Sequence, residues 1–316
     1  MEWTARQLRA VVTIAERANI SHAAVELGLT QPTVSRMLSR IESDLGHPLF
    51  ERSQTGATPT EAGVRFVAAA NDVLQALEEV SDEIRSLDGR LVGKICVAMP
   101  DTIGHTLFIP LIDRFATAHP DVELRVMALH PNSVPRAVRD GDADIGVISS
   151  AHRGERMVAT PLVDEELQLV GPGPTSAASR DLPPIPAGPI TVDRLSTYPL
   201  VLPAIQPGLR ALIDAAFGQR QLRPDVVLEV DAEDAIIELV GSGRAFSIMS
   251  FAGVQRFVAE GRLAACPIVD PSISRQLLTA RPDNRATTRL MSAVESAIQD
   301  LAAELAGRVH WSPCPG

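Results

Sequence analysis

The sequence predicts an α+β protein of more than one domain: a small helical head, a long connecting helix and a larger α/β body. Three observations carry this. Residues 1–59 place apolar side chains at helical spacing in short runs separated by glycines. Residues 60–91 repeat apolar positions at intervals of four and three, and from residue 92 onward short β-branched segments alternate with helical ones. A length of 316 residues suits about two domains.

In the head, Ala10, Val11, Ile14 and Ala15 follow helical spacing on a first helix that starts near Thr4. Ser21 is the expected N-cap of a second helix with Ala24, Val25 and Leu27 inward, and Gly28 ends it. Thr30 caps a third helix that tolerates Pro32 in its first turn; its inner side is Val34, Leu38, Ile41 and Leu45, and its outer side Thr33, Arg36, Met37 and Arg40. Two short helices around a glycine, with an Arg, Thr and Gln outer face, form a helix-turn-helix whose second helix suits a major groove. The following stretch, GHPLFERSQTGATPT, reads as two extended pieces around residues 54–57, a wing. A plain three-helix bundle with merely solvated outer charges would show the same periodicity.

Residues 60–91 form one long helix and a hinge. Phe66, Ala70, Val73, Leu77, Val80, Ile84 and Leu87 make an a/d seam, which implies a partner helix; the alternative is packing on its own domain. Residues 88–93 form the hinge.

In the body, GKICVAMP, DVELRVMALH, ADIGVISS, LVLP, VVLEV and FSIMS read as strands. Residues 105–119, 133–140, 209–217 and 232–241 read as helices. This alternation predicts a parallel-rich sheet covered by helices on both faces. Residues 171–189, GPGPTSAASRDLPPIPAGP, read as a loop. Ligands of open α/β sheets bind where strand ends meet helix starts. Four such turns are visible, at residues 100–104, 131–133, 149–152 and 203–208. The candidate ligand contacts are Thr102, Ser133, Ser149, Pro203, Gly208, Arg210 and Ser250. Each hydroxyl alone is equally an ordinary cap. Arg210 either meets a ligand carboxylate or sulfonate or forms a surface salt bridge. Donors at these positions without a facing carboxylate point to a small organic anion; an inward turn of Asp101 would oppose it.

Composition excludes several classes. Apolar runs are short and interrupted by charge, and the N-terminus lacks a signal-peptide pattern, so a cytoplasmic protein without a membrane partner is expected. Cys96, Cys266 and Cys314 are too scattered for a disulfide framework, and the histidines show no HxxxH or HExxH spacing, so neither metal nor cofactor is expected. No GxSxG, P-loop or strand-linked GxGxxG is present, so an enzyme is not expected. The formal charge of −10 is unevenly spread. In residues 1–60, Arg6, Arg9, Arg17, Arg36, Arg40 and Arg52 balance Glu2, Glu16, Glu26, Glu42, Asp44 and Glu51, leaving a neutral head on an acidic body.

The head resembles the DNA-binding domain of the LysR-type transcriptional regulators. The resemblance rests on Ser21, Ala23, Ala24 and Leu27, on TQPTVSR at 30–36, IESDLGHPLFER at 41–52 and TEAG at 60–63. It implies a winged helix-turn-helix over residues 1–59, with Gln31, Pro32, Thr33, Ser35, Arg36 and Met37 facing the groove, Arg40 on the same outer face, and Arg52 near the DNA backbone. It also implies dimerisation through the linker helix at 60–91. Over residues 92–308 the resemblance is weaker, resting on element order and on HPDVEL and GDADIGVI. It implies an effector domain like a periplasmic binding protein, with subdomain I at 92–163 and 268–304 and subdomain II at 164–267. The expected function is a ligand-responsive, sequence-specific transcription regulator. Its expected partners are double-stranded DNA, a small-molecule effector, a second copy in a homodimer that assembles to a homotetramer, and the transcription machinery.

Overall fold

The structure is a computed structural model that describes residues 2–53, 56–86, 89–176, 182–204 and 208–314. It divides into two compact units, Met1–Val92 and Gly93–Gly316.

In the first unit, α1 (Ala5–Arg17) opens with a capping box in which the Thr4 hydroxyl accepts from the Gln7 N–H and the Gln7 side chain accepts from the Thr4 N–H. Helix α2 (Ile20–Glu26) is capped by Asn19, not by Ser21. The Asn19 carboxamide reaches the N–H groups of both Ser21 and His22, at 2.8 and 3.1 Å, so the helix begins before the serine can cap it. Its inner face is Ala23 and Ala24; Val25 is 80% exposed, contrary to expectation, because so short a helix meets the core through one narrow side. Gly28 reverses the chain at φ +64°, a conformation that side chains resist. Helix α3 (Gln31–Leu45) buries Val34, Leu38 and Ile41 completely. Thr30 occupies its cap position, but the hydroxyl bonds the Thr33 hydroxyl at 2.8 Å instead of the helix backbone. Strands β1 (Phe50–Ser53) and β2 (Gly56–Pro59) pair antiparallel from Phe50↔Pro59 to Ser53↔Gly56. The expected wing centre at Gln54 and Thr55 lies outside the described residues.

Helix α4 (Glu61–Arg85) divides its apolar seam between two environments. Ala70 is buried with Leu74 against Leu8 and Val12 of α1, and Phe66 meets Trp3 edge to face at 5.2 Å. These two seam positions therefore serve the unit's own core. Val73, Leu77, Val80 and Ile84 instead stand 49% to 63% exposed. Leu87 lies outside the described residues.

The second unit begins with β3 (Gly93–Pro100), α5 (Asp101–Ala118), β4 (Val122–Leu129), α6 (Val134–Asp140) and β5 (Ile145–Ser149). Helix α5 starts four residues earlier than expected: residues 100–104 are its first turn and not a loop, with Asp101 accepting from the Thr102 N–H at 3.0 Å. A single 3-10 turn, Ser150–His152, leads to the 16-residue strand β6 (Met157–Pro172). This strand was not anticipated. Its Met157–Glu166 portion pairs with β12 (Ser274–Pro282), and from Leu167 it pairs with β10 (Ser247–Ser250) and β11 (Leu263–Val269). One strand thus passes from one half of the unit to the other, and the chain returns between β11 and β12.

Strands β4, β3, β5, β12, β6, β11 and β7 (Ile190–Thr191) follow one another in a curled sheet, with β10 and β13 (Trp311–Ser312) also on β6. Strands β4, β3 and β5 pair parallel, as do β11 and β7, and β12 runs against β5. In the second half, α7 (Val192–Leu195), β8 (Leu200–Leu202), α8 (Leu209–Gln219), β9 (Val226–Glu229), α9 (Glu233–Gly241) and α10 (Phe251–Ala259) surround a core containing Tyr198, Phe217 and Phe246. Helix α11 (Arg289–Val309) covers the first half and ends in β13. The expected loop at 171–189 is shorter, since β6 continues through Pro172; residues 177–181 lie outside the described ones.

Candidate functional site

The outer face of α3 carries Gln31, Pro32, Arg36 and Arg40 exposed, with Thr33, Ser35 and Met37 half-buried. Met37 leans on the domain core, so part of its side chain is structural. Arg36 lies along its own helix, Nε donating to the Pro32 carbonyl at 3.2 Å. Among the described residues neither Arg36 nor Arg40 forms an ion pair, which leaves a cationic, polar helix start. Arg52 differs: its Nη2 meets Glu42 Oε2 at 3.3 Å. The same Glu42 carboxylate accepts from the backbone of Leu49 at 2.8 Å and Phe50 at 3.4 Å, tying β1 to α3.

The second unit encloses a cavity of about 380 Å³. One wall is the start of α5 (Asp101, Thr102, His105), the loop before α6 (His130, Pro131, Asn132), His152 and Arg275. The other is Pro203, Ala204, Leu209, Arg210, the start of α9 from Asp231 to Ile237, β10, and Gly253, Arg256 and Phe257 of α10. Of the expected contacts, Thr102, Pro203, Arg210 and Ser250 line this space. Ser133, Ser149 and Gly208 do not. Ser133 is exposed in its turn. The Ser149 hydroxyl lies 2.7 Å from His152 Nδ1, and the ring's Nε2 lies 2.6 Å from Asn132 Oδ1, so His152 takes the place expected of the serine. Gly208, at φ +121°, packs against that ring: a Cβ there would sit 3.0 Å from it.

The expectation of a donor-only lining is overturned. Asp101, Asp231, Glu233 and Asp234 all line the cavity, and its best-buried arginines already hold carboxylates. Arg210 donates to Glu229 at 2.9 Å, to Asp214 at 3.2 Å and to the Pro203 carbonyl at 3.3 Å. Arg275 Nε donates at 2.6 Å to Glu165, which is 0% exposed and also accepts from the Ser250 hydroxyl at 2.5 Å and the Trp311 indole at 2.9 Å. That hydroxyl proton is therefore not offered to a ligand. The donor-only basis for a small organic anion is removed, because four carboxylates put negative charge on the lining and the two best-buried arginines, Arg210 and Arg275, hold carboxylates of the chain itself. Burial, and next the neighbouring Asp101, push the Glu233 carboxyl up to about 7, while Arg275 pulls the other way. The residues missed from sequence, His152, Glu233 and Arg275, belong to segments far apart in the chain and carry no shared motif.

Burial pushes the thiols of Cys96 and Cys266 up, the latter to about 11, which suits inert side chains. No cluster of metal-ligating side chains occurs among the described residues, and no described helix is long and apolar enough to cross a membrane.

Two family models match the chain: a bacterial regulatory helix-turn-helix protein of the lysR family over residues 5–64, and a LysR substrate binding domain over residues 88–303. The chain is 26% identical over 315 residues to the HTH-type transcriptional regulator CbbR of Xanthobacter flavus, covering 98% of this chain and 91% of that one. It is 28% identical over 297 residues to the regulator BbuR of Bordetella bronchiseptica, covering 92% and 89%. Among solved structures, a full-length OxyR variant from Pseudomonas aeruginosa superposes with a TM-score of 0.71 at 24% identity, over 95% of this chain and 98% of that one. CbnR in complex with its target DNA gives 0.66 at 20% identity, over 96% and 99%.

Proposed function

Since the chain belongs to the LysR family of transcriptional regulators, and is therefore a DNA-binding regulator with a substrate-binding domain and not an enzyme, we propose that a small effector seated in the cavity changes how a homo-oligomer sits on DNA. The observation that carries this reading is that both halves of the second unit wall one cavity of about 380 Å³. A ligand there binds one relative placement of the halves better than another, and only such differential affinity moves a two-state equilibrium.

In this reading residues 1–59 bind DNA, 60–91 link and dimerise, and 92–308 sense the effector. Arg36, Arg40 and Gln31 address base edges, with Pro32, Thr33, Ser35 and Met37 shaping the helix start, and Arg52 lies on a phosphate. The apolar stripe Val73, Leu77, Val80 and Ile84 meets the same stripe of a second copy, with Leu87 next in the heptad. A dimer doubles the contacts of an uncharged head, which explains why a neutral domain binds DNA at all. Pairing of dimers into a tetramer and contact with the transcription machinery extend the same scheme, and the site of action is the cytoplasm, where the chromosome lies.

The test starts with genomic fragments selected by the purified chain. Footprints on those fragments are then taken with and without metabolites suggested by neighbouring genes, using the wild type and Ala232→Trp, which fills the cavity from the exposed start of α9. The expected result is a ligand-dependent footprint in the wild type alone. A footprint altered equally in both would move the effector away from the cavity. Leu77→Asp should halve the mass seen by light scattering while the chain stays folded; an unchanged folded oligomer removes α4 from the interface.

A further inference from the structure

Resting on the reading of this cavity as the effector site, we propose that it takes a ligand with a protonated amine on an apolar body, the ammonium lying between Asp101 and Glu233 beside the Thr102 hydroxyl.

Two helices begin at this point, α5 with Asp101 and α9 with Glu233 and Asp234 in its first turn. A bare helix start attracts anions, but here resident carboxylates already meet that need: Asp101 accepts from the Thr102 N–H at 3.0 Å. Acceptors converge on one spot. The position of a Cβ on Gly253 would lie 2.9 Å from Glu233 Oε1 and 3.0 Å from the Thr102 carbonyl oxygen, so the missing side chain of this glycine leaves α10 open to both. Thr102 lines the same cavity, and its Oγ1, buried behind that lining, has no hydrogen-bond partner among the described residues. A buried hydroxyl left open in this way costs stability unless a ligand or water completes it.

The two best-buried cations nearby do not compete, since Arg210 and Arg275 are held by Glu229, Asp214 and Glu165; Arg256 is exposed, its guanidinium over the Phe257 ring at 4.5 Å. Around the polar end, Ile236, Ile237, Ile248 and Met249 offer an apolar wall, which an alkyl or aromatic body fills.

Binding of such a ligand depends on pH. Glu233 is faced by Asp101 from α5, Arg275 from β12, Glu165 from β6 and its own neighbour Asp234, and burial with these negative charges holds its carboxyl partly protonated near neutrality. An ammonium favours the ionised form, so binding displaces that proton and tightens as pH rises.

The experiment is calorimetric titration of the full-length chain with benzylamine, benzyl alcohol and benzoate, which share an apolar body and differ in the polar group. Benzylamine, charged as its ammonium, should bind at least about tenfold more tightly than benzoate, and more tightly at about pH 8 than at about pH 6. Glu233→Gln and Asp101→Asn should each weaken it by about tenfold while leaving the affinity for benzyl alcohol little changed and the chain cooperatively folded. Benzoate binding as well as the amine, amine binding indifferent to both substitutions, or no binding by any probe at millimolar concentration overturns the proposal. Ala232→Trp separates the two readings. Benzoate binding that this variant abolishes refutes the amine and keeps the cavity as the site, whereas amine binding that survives it refutes the cavity itself.

Discussion

Arginine plays opposite parts on the outer face of α3 and around the cavity. Arg36 and Arg40 are exposed and outside any ion pair among the described residues. Arg210 and Arg275 have side chains 11% exposed, each bound to carboxylates. In the head the charge is left for a polyanion outside the chain; in the body it is matched by carboxylates of the chain's own neighbouring strands and helices. Residue type alone therefore says little about a ligand. What decides is whether the chain supplies the counter-charge itself.

Breaking the body's side of this contrast should have the largest effect. Arg275→Ala leaves Glu165, 0% exposed, without its cation, and removing one partner of a buried pair costs about 3–5 kcal/mol. Denaturant unfolding followed by Trp311 fluorescence in a Trp3→Phe background would measure it. A loss below about 1 kcal/mol would mean that the pair behaves like a surface contact.

Next comes Glu233. Its folded carboxyl sits at about 7, above its ordinary value of 4.5, so the folded chain holds a proton that the unfolded chain has already released in that interval. The stabilisation is complete below about pH 4.5 and is lost as pH rises through about 7, with a linkage ceiling of about 3–4 kcal/mol. Glu233→Gln should flatten that part of the stability-pH curve; an unaltered slope would place the titration on another group.

Arg36 sharpens the head's side. Arg36→Ala should cost about 1–3 kcal/mol on the selected operator and little on random DNA. Equal losses on both would assign it to phosphate. The smallest effect belongs to Arg52, which is already shared with Glu42 at 3.3 Å. Arg52→Ala should weaken all DNA alike and reduce the slope of log affinity against log salt by about 0.9. An unchanged slope would show that Glu42 keeps the guanidinium from the backbone.

Pattern along the chain was enough for whatever depends on near neighbours: three head helices, the paired extended pieces of the wing, one long helix, and alternating strands and helices beyond it. These follow from spacing, caps and glycines within one segment. Even there, the start of α2 shifted from Ser21 to Asn19, because two capping residues compete and the carboxamide reaches two N–H groups. The seam of α4 was legible as a period, but a period does not name its partner. Only folding put Phe66 and Ala70 against α1 and left Val73 to Ile84 outside. The cavity's chemistry was further from reach. Arg275 finds Glu165 across 110 residues, and Glu233 meets Asp101 from a different helix, so charge state and ligand preference there belong to pairs that no local pattern contains. Periodicity is a property of one stretch of chain, whereas burial and counter-charge exist only once distant stretches have been brought into contact.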